Sequence, residues 1–143
     1  MWGHGYTYTG HPVAAAVAHE ALKIYEERDL LGHVGQVAPV LQNGLHAFAD
    51  HPLVGEVRGV GLIGGIELVK NKKTKEAFGP KDGVGAFCAA RAQEHGLITR
   101  AMGDSMGFCP PLVITAEETE DMLARFGTAL DETWKMVQDK GLA

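Results

Sequence analysis

The sequence predicts an α/β fold of the segregated α+β kind: a small antiparallel sheet of three or four strands covered by helices, with two further helices ahead of it. Three observations carry this expectation. Apolar residues recur at helical spacing up to Ala49, and from Leu53 the period shortens to that of strands, in VGEVRGVGLIGGIELV. The β-branched runs that follow are short and are separated by glycine-containing turns. The chain then closes on a capping box and a continuous apolar stripe, the signature of one long amphipathic helix.

Taken in order, the first helix is expected to begin at His11-Pro12, because proline at the first helical position gives up no hydrogen bond, with Thr9 or Gly10 as its cap. It continues through AVAHEALKIYEE, placing Val13, Val17, Ala21 and Ile24 on one face and Glu20, Lys23 and Glu27 on the other. A second helix is expected over about 32–49, from the spacing of Val34, Val37, Ala38, Leu41, Leu45 and Phe48, with Pro39 implying a kink. Strands near 55–59 and 62–69 follow, then the polar loop KNKKTKEAFGP. A third helix is expected over about 82–95, stopped by Gly96. LITRAM and MGFCPPLVI read as two strands interrupted at Gly103-Asp104. Thr115 and Glu118 open the last helix, whose stripe is Thr119, Met122, Leu123, Phe126, Leu130, Trp134 and Val137. Residues 1–52 thus form a leading loop and helix pair, and 53–143 a small α/β domain.

Composition narrows the function classes. Thirteen Lys and Arg against eighteen Asp and Glu give a net charge of −5, which argues against nucleic acid or an anionic membrane as the partner. The one dense basic cluster, KNKKTK at 70–75, reads as a solvated turn. No apolar run has membrane-spanning length, and no basic stretch leads into an apolar one as a secretory signal requires. Cys88 and Cys109 do not make a disulfide framework, so a reducing cytoplasm is expected. The 19 glycines cluster at 3–10, 55–65 and 79–85, as loops and close approaches rather than as linker.

Several motifs have two readings. Gly59-Val60-Gly61-Leu62-Ile63-Gly64 is a literal G-x-G-x-x-G, but a dinucleotide site needs a helix N-terminus directly after it, and here a strand follows. The hairpin reading is preferred, and a failed NAD titration would end the nucleotide one. Seven histidines raise the question of a metal, yet His4, His11 and His19 lack partners at ligand spacing, so no metal site is expected. Neither cysteine has a local base and no serine sits in a nucleophile elbow. Arg100 leaves a strand for a glycine-containing loop, where a guanidinium suits a carboxylate; that carboxylate could belong to a substrate or to Asp104. Tyr6, Thr7, Tyr8 and Thr9 put hydroxyls and unpaired N–H groups just ahead of a helix, an arrangement that fits either a phosphate or simple capping.

Three separated segments, HGYTYTGHPVAAAVA, VRGVGLIGGIELVKNK and GLITRAMGDSMGFCPPLVIT with its acidic capped helix, together resemble the class III pyridoxal-phosphate aminotransferases. The amine or β-alanine to pyruvate group, the omega-aminotransferases, is the nearest likeness. The resemblance covers essentially all 143 residues but only about the C-terminal third of such an enzyme. It implies a fold type I small domain over 53–143, with 1–52 leading from the large cofactor domain. It implies that Thr7, beside the aromatic Tyr6, binds the cofactor phosphate of a neighbouring subunit, and that Arg100 is the mobile arginine that binds the substrate carboxylate. Also implied are pyridoxal phosphate as cofactor, an amine donor and a keto acid acceptor as substrates in a ping-pong amino transfer, and a homodimer or tetramer.

The lysine that forms the Schiff base in that family belongs upstream of HGYTYTGHP. No lysine here offers a substitute, because such a lysine needs a desolvated site, and Lys23, Lys70, Lys72, Lys73, Lys75, Lys81, Lys135 and Lys140 fall on polar faces, in the solvated loop region or near the chain end. The chain alone is therefore expected to be inactive. The alternative is a non-catalytic interaction or dimerisation module retained from such an enzyme.

Overall fold

The computed structural model describes Gly3 and residues 5–143; His4, one of the histidines weighed for a metal, lies outside the described residues. Eight principal elements follow in order: α1 (Pro12–Glu27), α2 (Leu30–Ala47), β1 (Val54–Val60), β2 (Ile63–Leu68), α3 (Val84–Glu94), β3 (Arg100–Met102), β4 (Ser105–Phe108) and α4 (Ala116–Asp139). The sheet order is β1-β2-β4-β3, with every neighbouring pair antiparallel. The chain thus crosses from β2 through α3 to the far edge and returns as β4 into the middle, a split β-α-β arrangement.

Both hairpins turn on a glycine with positive φ, Gly61 at 58° and Gly103 at 63°, a conformation that residues with a Cβ adopt at a cost. Gln42 of α2 braces the first turn, donating from Nε2 to the carbonyls of Gly61 (2.9 Å) and Ile63 (3.1 Å). The G-x-G-x-x-G motif is therefore hairpin, with no helix N-terminus after it. β4 is shorter than MGFCPPLVI suggested. It stops at Phe108 because Pro110 and Pro111 carry no N–H for a ladder. β3 likewise holds only the RAM of LITRAM.

Two helix starts differ from expectation. α1 is capped by His11, whose Nδ1 accepts from the Ala14 N–H at 3.4 Å. Thr9 is not the cap, because its hydroxyl oxygen accepts from the Tyr6 N–H instead, at 2.7 Å, and Gly10 turns with φ at 79°. α2 starts earlier, at Leu30. Asp29 takes the left-handed conformation that Asp tolerates better than most residues and accepts from the Gly32 N–H through Oδ1. α2 runs through Pro39 and buries Val37, Leu41 and Leu45 around it.

Those three residues share one core with Ile66, Leu68, Met106, Phe108, Leu123, Phe126, Leu130 and Val137, so α2 and α4 cover one face of the sheet. α4 begins on the expected capping box, with Glu118 N–H donating to Thr115 Oγ1 (3.1 Å) and Thr115 N–H to Glu118 Oε2 (2.9 Å). α3 lies against α4 through Arg91, whose Nε donates to Glu132 at 2.7 Å. α1 is the exception: no residue of it is buried, and Val13, Val17 and Leu22 are among its exposed apolar side chains.

His51 gives the fold a pH dependence. Its Nδ1 accepts from the Leu53 N–H at 3.2 Å while Nε2 faces Asp131 Oδ1 at 3.4 Å. Burial holds its pKa below the ordinary 6.5 despite Asp131, with Lys72 nearby acting in the same direction as burial. The folded state therefore binds the proton less readily than the unfolded one, so the stability that neutral His51 contributes is present above pH 6.5 and is lost as pH falls through the folded midpoint. Tm should drop on acidification from pH 7 to 5.5, and His51→Asn should flatten that part of the profile. Parallel profiles for the two proteins would contradict the assignment.

Candidate functional site

The loop ahead of α1 is a compact turn. Thr9 N–H donates to the Tyr6 carbonyl (2.9 Å) and His11 N–H to the Tyr8 carbonyl (3.1 Å). Tyr6 and Tyr8 stand 75% and 80% exposed. The Thr7 hydroxyl is exposed and has no hydrogen-bond partner among the described residues, nor do the N–H groups of Thr7, Tyr8 and Gly10. A hydroxyl and several free N–H groups at the positive end of a helix form a donor set that suits a phosphate. Thr7 supplies the hydroxyl of this set, and Tyr6 flanks it with its own N–H given to Thr9.

All eight lysines among the described residues are exposed, whereas a Schiff-base lysine needs a desolvated site. Cys88 is buried, and burial pushes its thiol up to about 11, which removes it as a nucleophile. Among the described residues no three His, Cys, Asp or Glu side chains gather as metal ligands.

Arg100 opens β3 and is exposed. Of its two readings, the salt bridge to Asp104 is not made. Asp104 Oδ1 accepts instead from the Gly85 N–H at the start of α3 (2.8 Å), and Arg100 has no ion pair among the described residues. It lines a shallow groove of about 430 Å3 beside Ala86, Ala90 and Gln93 of α3. None of the loop residues lines that groove, so within one chain the structure does not bring Thr7 and Arg100 into a common cavity.

Sequence reading missed what lies beside Arg100. The strand registers align Arg58 with Gly65, Gly65 with Gly107 and Gly107 with Arg100, so two arginines flank two glycines in one row across the sheet. Ile66, Met106 and Phe108 point to the helices and are buried, which puts this row on the opposite, uncovered face. Here Arg58 Nη2 donates to Glu67 Oε2 (3.1 Å) and to Ser105 Oγ (3.3 Å), and Ser105 Oγ donates to Glu67. The Ser105 hydroxyl and Arg58 together hold the Glu67 carboxyl below its ordinary range. Period-two alternation marks Arg58, Gly65 and Gly107 as sharing a face with their neighbours, but only the insertion of β4 beside β2 puts them in one row.

Comparison with known proteins places these features in a family. A family model, aminotransferase class-III, matches residues 1–130. The chain is 46% identical over 138 residues to gamma aminobutyrate transaminase 1, mitochondrial, of Solanum lycopersicum, covering 96% of this chain and 27% of that protein. It is 49% identical over 131 residues to putrescine–pyruvate aminotransferase of Pseudomonas aeruginosa, covering 91% and 28%. Among solved structures, the omega transaminase from Pseudomonas jessenii in complex with PMP superposes with a TM-score of 0.87 at 51% identity, over 95% of this chain and 30% of that one. The chain spans less than a third of the length of these relatives.

Proposed function

Because the chain belongs to the class III aminotransferases, we propose that it is the C-terminal part of an enzyme that moves an amino group from an amine or omega-amino acid to pyruvate by a ping-pong mechanism. The observation that carries this reading is Arg100, exposed on β3 and without an ion pair among the described residues, next to a family match over residues 1–130. A guanidinium left free on a strand end can take a keto acid carboxylate through two parallel hydrogen bonds. Thr7 donates its hydroxyl, and the neighbouring N–H groups their protons, to the cofactor phosphate, with Tyr6 beside them. Pyridoxal phosphate, when bound, supplies the electron sink that amino transfer requires. Proton movement at the reacting carbon needs a desolvated lysine, and the exposed lysines here do not provide one. In this reading the loop and Arg100 serve different subunits of a homodimer or tetramer, acting in a reducing cytoplasm where Cys88 and Cys109 stay unpaired.

The size of the polypeptide that carries this sequence in its source cells tests the reading. An antibody to α4 should detect a product well above 15.3 kDa. The purified 143-residue chain, given pyridoxal phosphate, putrescine and pyruvate, should form no alanine. Turnover by the isolated chain would refute the assignment of the missing lysine. A product at 15.3 kDa would favour the second reading, a non-catalytic interaction module. The exposed apolar residues of α1 and self-association in sedimentation are expected of both readings, so the size of the product is what separates them.

A further inference from the structure

The uncovered sheet face carries two acids and two arginines: Glu56 and Arg58 on β1, Glu67 on β2 and Arg100 on β3. Lys75 reaches Glu56 from the loop after β2, at 3.6 Å, and Arg58 also stands 3.6 Å from Glu56. Both carboxylates are thereby engaged, and Arg100 is the cation left over. Arg100 and Glu67 lie two strands and two residues apart, roughly 12 Å between Cα atoms, within the combined reach of the two side chains. Gly65 and Gly107, which carry no side chains of their own, lie between them. Arg58 lies over the first of these, with its Cγ and Nε 3.8 Å from the place of a Gly65 Cβ, and Met102 Cε stands 3.4 Å from the place of a Gly107 Cβ. Arg58 and Met102 wall a trough of about 410 Å3 there, and Arg100 lines the neighbouring groove beside α3.

We propose that Arg58 is a positioning residue for Arg100: by holding Glu67 together with Ser105, it stops that carboxylate from capturing the Arg100 guanidinium across the two glycines and so keeps Arg100 available to a substrate carboxylate. The last step rests on the reading of Arg100 given above. The capture itself does not, and it can be measured without any substrate. An unpaired arginine within reach of an unpaired glutamate on an exposed face gains a modest, solvent-screened ion pair by closing on it. Arg58 removes the opportunity by satisfying the acid first, and Ser105 fixes the acid in place with a second donor.

The test is a double-mutant cycle read at the Glu67 carboxyl by NMR titration of the 143-residue chain. In the unaltered protein, Arg100→Met should leave the Glu67 midpoint where it is. In Arg58→Met, Arg100 should take over Glu67, so that adding Arg100→Met now raises the midpoint by about 0.5–1 pH unit, the size of a contact pair in high dielectric. Equal effects of Arg100→Met in both backgrounds, including no effect in either, overturn the proposal. Arg58→Lys is the control, since a cation at that position should again shield Glu67 from Arg100. The methyl signals of Ile66 and Met106 report whether each variant keeps its core. If Arg58→Met loses them, Arg58→Gln repeats the comparison, and loss of the fold in both would assign Arg58 to stability and overturn the proposal. Failure of pyruvate to perturb Arg100 would count against the proposed function alone and leave this cycle standing.

Discussion

Phe126→Ala should cost about 3–5 kcal/mol, which for a domain of this size is a large share of its total stability. Phe126 is fully buried on α4. Its ring meets Phe108 of β4 edge-on at 4.8 Å between centroids, and Phe48 at the end of α2 edge-on at 5.3 Å. One side chain therefore joins the sheet, α2 and α4, and truncation opens a cavity against all three at once. Chemical denaturation should give a midpoint far below that of the unaltered chain, and Phe126→Leu, which refills most of the volume, a much smaller loss. A loss below about 1 kcal/mol for the alanine variant would mean that the three layers do not depend on this ring.

Gly85→Ala should be the next most damaging change, by about 1–3 kcal/mol. A Cβ at position 85 would stand 2.1 Å from the Gly103 carbonyl oxygen and 2.9 Å from Asp104 Cα. Both are backbone atoms, so neither can rotate away as a flexible side chain could. The first turn of α3 and the β3–β4 turn would have to part, stretching the bond from the Gly85 N–H to Asp104. Because Arg100 enters the strand that ends in that turn, its signals should shift even where the core signals do not. A variant with unchanged Tm and unchanged Arg100 signals would show that the turn yields freely.

Local chemistry made some of the fold legible and left the rest dark. α4 could be read because its capping box and its stripe are both contained within one stretch of chain. The hairpin at Gly61 was equally plain, since a motif that needs a helix after it was followed by a strand. The helix caps were less so: Thr9 is a better capping residue than His11 by type, but its hydroxyl is taken by the Tyr6 N–H, a competition that residue type does not reveal. Strand ends were overrun because apolar residues continue on both sides of Pro110-Pro111. In the candidate site, Arg100 could be singled out alone, with two partners open to it. That Asp104 belongs to Gly85 and Glu67 to Arg58 depends on contacts across 19 and nine positions of chain, set by the order of the strands.

That order has a kinetic consequence. Each hairpin closes over a two-residue turn and can form early, but joining β2 to β4 closes the whole segment 69–104, α3 included, at a larger cost in chain entropy. The four-residue row from Arg58 to Arg100 straddles that junction, two residues from each hairpin. It is therefore absent from any chain in which only the hairpins have formed. The two arginines come to share a face in the same event that completes the sheet, so the row is a product of finished folding rather than a template for it.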